Sequence, residues 1–233
     1  MKRQFDPGEP ELMDRPQPVS PELEVDLRNL RQLNRYFGSY ALVRHFLRRW
    51  IRRGDSVRVL DLATGSGDIP RFVIDDARER GAIAHVTAVD QQDSTLEIAR
   101  GLSAGYPEIE YVQGDVLAFD RGEQYDIVMC SLALHHFREE DAVRLLTHAR
   151  NLSRRYVLVA DLRRGVLATA GVYLLTALIF REPMTQTDGR LSAARAFSFV
   201  ELRSLAQRAG WRNFGHRTFR FARQAIWLER AVA

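Results

Sequence analysis

Val59-Leu-Asp-Leu-Ala-Thr-Gly-Ser-Gly-Asp-Ile69 is the stretch that decides the fold. Val57–Leu62 reads as a short buried strand that runs directly into a Gly-x-Gly turn. Gly65 and Gly67 let the backbone pass close to a ligand, where a Cβ would collide. A helix over residues 70–80 is expected next, with Pro70 at its start and free N–H groups at its N-terminus. A dinucleotide-binding fingerprint would need a third small residue where Pro70 stands. That departure argues against a nicotinamide oxidoreductase. So does the lack of a Tyr-x-x-x-Lys pair, since the one lysine is Lys2. Taken alone, the Gly-x-Gly also reads as an ordinary tight strand-to-helix turn.

Working outward, strands and helices alternate. His85–Asp90, Ile109–Val112, Tyr125–Ser131 and Arg155–Asp161 read as further strands. Helices are expected over 94–103, opened by a Ser94/Glu97 capping box, and over about 139–151. The alternation implies a parallel sheet covered on both faces. Ser198 and Glu201 form a second capping box for a helix that ends near Ala209, before Gly210. Gly215–Ala231 reads as two strands meeting near Ala222–Gln224. The expected fold is therefore α/β: a Rossmann-like, seven-stranded, mostly parallel sheet with helices on both faces. An antiparallel hairpin closes it at the C-terminus, and a helical lid precedes it. Residues 1–24, with five prolines, read as a flexible leader or else as an ordered arm over a site. Residues 25–54 form the lid, broken at Gly38, and residues 55–233 the main domain. An insertion at about 163–195 holds the apolar run Val166–Phe180 and a polar loop over 181–192.

Composition narrows the function classes. The 233 residues carry a formal charge of +4, almost all the basic groups are arginines, and the arginine pairs are scattered. No dense basic arm is present, so no nucleic-acid partner is expected. One cysteine, Cys130, rules out an internal disulfide and any zinc site built on several cysteines. No metal is called for, and a cytoplasmic location is expected. The apolar run, at about 15 residues, falls short of the roughly 20 that span a bilayer.

Three acidic positions turn the glycine turn into a specific signal. Asp90 ends the second strand with Gln91 beside it, where a carboxylate can take both hydroxyls of a ribose. Asp115 and Val116 follow the third strand, where an acid can accept from an adenine amino group. Asp126–Phe137 ends at the point where the strand order should reverse, which is where ligands bind in such sheets. In this order the motifs resemble the class I S-adenosylmethionine (SAM)-dependent methyltransferases, closely over about residues 57–161 and more loosely over 198–231. Within that family the chain resembles the small-molecule branch that includes enzymes of ubiquinone and menaquinone biosynthesis and enzymes acting on phenols or polyketides. The resemblance implies SAM as cofactor. Asp61, Ala63, Gly65 and Gly67 would line its methionine part, Asp90 would hold the ribose, and Asp115 and Val116 the adenine. Ser131 would lie beside the sulfonium, and the segment Asn34-Arg35-Tyr36-Phe37-Gly38 would close over the site. Arg35 is assigned there to the cofactor, and Tyr36 and Phe37 to the acceptor.

The implied reaction is methyl transfer to a small, largely apolar acceptor, by O-methylation of a phenol, quinol or polyketide-like hydroxyl. C-methylation of a quinone-precursor ring is the alternative. An RNA or protein methyltransferase and a non-catalytic SAM-binding protein are the rival classes. A phenol has a pKa near 10, so a base would help. His135 and His136, at the cofactor end of the fourth strand, are the candidates, with His136 slightly preferred, although either could simply hold the loop. Arg163, Met184, Thr187 and Arg195 are expected to orient the acceptor, and Arg195 could pair with Asp188. The apolar run is a core-facing helix, a greasy pocket wall, or a transient membrane-surface contact flanked by Arg163, Arg164 and Arg181. A monomer or a homodimer is expected.

Overall fold

In the computed structural model, residues 2–6, 8–165, 171 and 183–230 are described. Two helices come first, α1 (Pro21–Tyr36) and α2 (Ser39–Trp50). Ser20 caps α1 through a bond from Leu23 N, and Gly38, at φ 88°, makes the break between the two. Then follow β1 (Ser56–Leu62), α3 (Asp68–Glu79), β2 (Ile83–Asp90), α4 (Asp93–Leu102), β3 (Ile109–Gln113), β4 (Tyr125–Ser131), α5 (Glu139–Leu152) and β5 (Ser153–Leu162). The chain ends with α6 (Pro183–Arg195), α7 (Phe199–Arg208), β6 (Gly215–Phe219) and β7 (Arg223–Glu229).

The seven strands form one sheet in the order β3-β2-β1-β4-β5-β7-β6. β1 to β5 are parallel, and β7 runs antiparallel between β5 and β6. The period-two geometry of the central strands divides the core in two. Leu60, Leu62, Val128 and Cys130 pack with α5 and α7 on one face. Val57, Val59, Ile127 and Met129 pack with α2 and α3 on the other. β4 is buried on both sides from Tyr125 to Cys130, as a central parallel strand must be. The parallel strands end together, and the order reverses between β1 and β4, so the loops after them open a crevice at that end.

Three expectations need correcting. α4 starts at Asp93 with Gln92 as its N-cap and no side-chain cap, so Ser94 and Glu97 do not form a capping box. The segment expected as a polar loop is, from Pro183 onward, helix α6. It is held to α1 by Thr185, which donates to Asp26 at 2.6 Å and accepts from Asn29 at 3.0 Å. The leader, expected to be flexible, is laid over the crevice. Arg3 donates to the carbonyls of His135 (2.9 Å) and Phe137 (2.8 Å), and Leu12 N and Met13 N donate to the Asp188 carboxylate at 2.8 and 3.0 Å. Prolines prevent helix but not an extended arm, and this arm satisfies its backbone groups on the domain rather than in water. The Ser198/Glu201 capping box is present on α7. The apolar run lies outside the described residues. Among the described residues, no helix is long and apolar enough to cross a membrane.

Candidate active site

A cavity of about 790 Å3 fills the crevice at the ends of β1, β2, β4 and β5, roofed by α1 and the N-terminal arm. That volume suits a drug-sized ligand, for which about 300–1,000 Å3 is usual. Its floor is the loop after β1. Ala63 (φ 59°), Gly65 (φ 55°) and Gly67 (φ 69°) all adopt left-handed backbone. A non-glycine residue there costs of order 1–2 kcal/mol. Leu132, at φ 56° just after β4, is a second such position, and both Ala63 and Leu132 line the cavity. Backbone strain is thus gathered at the point where the strand order reverses.

The two glycines differ in purpose. A Cβ on Gly65 would meet nothing within 4 Å, so that side faces open cavity. A Cβ on Gly67 would stand 2.0 Å from the Tyr111 hydroxyl. Gly67 therefore serves the close packing of the turn on β3 and does not line the cavity. Asp90 Oδ2 accepts from Gly65 N at 2.8 Å, and its Oδ1 accepts from Gln92 N at 3.0 Å. Each oxygen keeps a lone pair for a ligand hydroxyl. Burial raises the Asp90 pKa. Gln91, Asp115, Val116 and Ser131 also line the cavity. Asp61 lies beneath the floor, fully buried, with Oδ1 unpartnered, and burial raises its pKa to about 7.

The lid meets the floor through one buried node. Asn34 Nδ2 and Tyr40 Oη both donate to Asp68 Oδ2, at 3.0 and 3.1 Å. Leu27, Leu30, Leu33, Asn34 and Phe37 line the cavity. Arg35 and Tyr36 are exposed and lie outside it, with the Arg35 guanidinium over the Tyr36 ring. The helical spacing of Leu27, Leu30, Asn34 and Phe37 could have identified the inward face.

Phe5, Leu132, Phe137 and Phe221 give the cavity an apolar lining. Arg163 and Arg195 line the cavity. Arg195 is buried and donates to the carbonyls of Asp6 (3.2 Å) and Glu9, so it anchors the arm rather than pairing with Asp188. Met184 and Thr187 are on α6 but do not reach the cavity, and Thr187 is exposed. Glu11, Asp14 and Arg223 line it and carry no signal in the sequence, because only the folded arm and hairpin bring them there.

His135 and His136 sit in a 3-10 turn, Leu134–His136, after β4. His135 is buried, its Nδ1 lies 2.7 Å from Asp161 Oδ1, and its Nε2 has no partner. His136 Nδ1 lies 2.5 Å from Asp14 Oδ2. Burial opposes charge on His136, but the carboxylates of Glu11 and Asp14 outweigh it and raise its pKa to about 10. His136 therefore carries a proton at neutral pH, which leaves it poorly suited to take another.

Residues 59–155 match a family model described as a methyltransferase domain. Over that stretch, about two fifths of the chain, this protein is similar to methyltransferase domains. Over 82 residues it is 35% identical to a 2-phytyl-1,4-naphtoquinone methyltransferase of Thermosynechococcus vestitus, a match covering 35% of this chain and 35% of that protein. The chain thus aligns with only about a third of the length of that curated relative. Among solved structures, the plantazolicin methyltransferase BpumL in complex with SAH superposes with a TM-score of 0.68 at 12% identity, covering 91% of both chains. Magnesium protoporphyrin IX methyltransferase from Synechocystis PCC 6803, with bound SAH, superposes with a TM-score of 0.58 at 17% identity, covering 94% of this chain and 91% of that one. These two likenesses establish the fold. The residues of the cavity fit SAM: open space over Gly65, free lone pairs on Asp90, and acids rather than bases at the floor.

Proposed function

We propose that this chain transfers a methyl group from SAM to a hydroxyl of a small, largely apolar acceptor of the phenol, quinol or polyketide-like kind. Asp90 would hold the ribose hydroxyls, Asp115 and Val116 the adenine, and the backbone from Ala63 to Ser66 the methionine part. SAM, when bound, supplies the activated methyl and its own leaving group. The protein has to align the acceptor, exclude water and remove one proton. Asn34 and Tyr40 keep the lid on the floor, while Phe37, Leu132 and Phe137 exclude water.

The observation that carries the reading is the His135–Asp161 pair. Asp161 fixes the ring of His135, a cavity-lining residue, through Nδ1 and leaves its buried Nε2 without a hydrogen-bond partner, 3.9 Å from Glu11 Oε1. That arrangement suits a general base toward an acceptor hydroxyl. It favours His135 over His136 for that role. C-methylation stays as the second reading, because the curated relative is named for a naphthoquinone.

Calorimetry with SAM and SAH tests the cofactor, with Asp90→Ala alongside. A panel of phenols and quinols then tests turnover. His135→Ala should cut kcat by about 10²–10⁴, the usual contribution of general-base catalysis, with SAM affinity unchanged. If a well-folded protein bound neither SAM nor SAH, the proposal would fail.

A further inference from the structure

The two histidines do more than line a wall. Their Nε2 atoms converge on Glu11, a carboxylate of the N-terminal arm. His135 Nε2 lies 3.9 Å from Glu11 Oε1, and His136 Nε2 lies 3.8 Å from Glu11 Oε2. The three ligand atoms lie within 4.8 Å of one another. Glu11 and His135 are each 2% exposed. Each ring is oriented from behind by a second carboxylate on Nδ1, Asp161 for His135 and Asp14 for His136.

We propose that Glu11, His135 and His136 bind one divalent transition-metal ion, of the zinc class. Two imidazoles and one carboxylate are a donor set for such ions, and three protein ligands leave a position open to a further group. Carboxylates on the far nitrogens are the usual outer partners of metal-bound histidines, where they fix tautomer and ring direction. The unpartnered, buried Nε2 of His135 is the independent sign. A buried polar atom without a partner is costly, and an ion would remove that cost. Tetrahedral zinc with bonds of about 2.0–2.2 Å sets ligand atoms roughly 3.3 Å apart, so a cluster whose ligand atoms lie within 4.8 Å of one another has to draw in by about half an ångström at its near pairs and by up to about 1.5 Å at its widest. The Glu11 side needs no new segment to move in, since the arm is already seated.

The binding itself stands on geometry alone. Its role rests on the methyl-transfer reading. Glu11, His135 and His136 all line the cavity that would hold the acceptor, so the open position would adjoin it. A hydroxyl coordinated there becomes more acidic and releases its proton to solvent, so the ion takes over from His135 as the means of activation. The arm then becomes part of the active site, since it supplies the only carboxylate ligand.

The test uses the full chain, stripped with chelator and titrated with zinc, and with cobalt as a spectroscopic probe. One equivalent per chain is expected, with the visible absorption of low-symmetry cobalt. Glu11→Gln should weaken zinc binding by about 10²-fold or more, and Asp161→Asn by about 10–100-fold, the usual loss for an outer partner. His85→Ala, on an exposed histidine, should change nothing. Substoichiometric binding, or equal binding by wild type and Glu11→Gln, would overturn the inference. If Glu11→Gln does not fold, Asp14→Asn replaces it, with the roughly 10–100-fold loss of an outer partner expected and unchanged binding again fatal. SAM titration of the stripped protein separates the two proposals. Loss of zinc binding with SAM binding intact leaves the methyltransferase reading standing, whereas stoichiometric zinc without any SAM binding defeats that reading alone.

Discussion

Substituting the two glycines of the β1–α3 turn one at a time separates ligand space from packing space. Gly65→Ala keeps a left-handed φ of 55°, which costs about 1–2 kcal/mol in a non-glycine residue. Its Cβ meets no protein atom within 4 Å, so no further penalty arises in the unliganded protein. For a domain of this size that is a fall in Tm of roughly 2–8 °C. The new methyl stands where the methionine part of SAM would run. A forced overlap costs typically 1–3 kcal/mol, so SAM affinity should fall by about 10–100-fold. Gly67→Ala carries a similar φ cost, at 69°, but its Cβ would lie 2.0 Å from the Tyr111 hydroxyl and 2.8 Å from the ring carbon behind it. The ring must move, and with it the 2.8 Å bond between Tyr111 and Ser103. Adding overpacking of about 1–3 kcal/mol to the φ term gives about 2–5 kcal/mol in all, a large fraction of the roughly 5–15 kcal/mol of a typical domain. Tyr111→Ala in the same chain should recover a large part of it. Thermal melts and SAM calorimetry on the three variants provide the readouts. Wild-type SAM affinity in Gly65→Ala would refute the placement of the cofactor over that residue. Equal stability of the two single variants would refute the packing role of Gly67.

Asp90→Asn keeps one acceptor but loses the charge, and SAM affinity should fall by about 10–100-fold, the worth of one or two charge-assisted bonds; an unchanged Kd would remove Asp90 from the ribose site. Asp61 holds its proton to higher pH in the fold than in the unfolded chain, with a pKa of about 7 against an ordinary value of 3.8. Its contribution to stability is therefore present below pH 4 and declines as pH rises through 7, by up to about 4 kcal/mol. Asp61→Asn should flatten that slope in denaturant melts taken from pH 4 to 8, and an unaltered slope would show that Asp61 ionises freely. Arg3→Ala removes the bonds to the carbonyls of His135, Phe137 and Arg195 and the stacking of its guanidinium 3.8 Å from the Phe197 ring centre. The arm should open to limited proteolysis and its amides should exchange faster, while the Tm falls by only a few degrees; protection equal to wild type would mean the arm is held elsewhere.

Much of this protein is set by its sequence alone, because the signals are local. The β1 strand, the Gly-x-Gly turn and an acid at the end of the next strand report on atoms that neighbour one another along the chain or across one parallel pair. Gly65 and Asp90 are 25 positions apart yet bonded through adjacent strand ends, a distance fixed by one strand-helix-strand unit. The alternation of elements similarly determines the parallel sheet, and the Ser198/Glu201 box determines where α7 begins. Only tertiary structure decided the rest. Whether Arg35 and Tyr36 or Asn34 and Phe37 face the cavity depends on the rotation of α1, which its packing on α6 and on Asp68 sets. The purpose of Gly67 depends on Tyr111, two strands away across the sheet. The leader is the extreme case. Its prolines disfavour a long helix ahead of Pro21, and nothing in its own composition says where it goes. Its place over the histidines comes from bonds to Asp188, Arg195 and the turn after β4, more than a hundred residues further along the chain. Loop-closure entropy grows only slowly with such a separation, so contacts of this kind are affordable to the fold and leave no trace in local pattern.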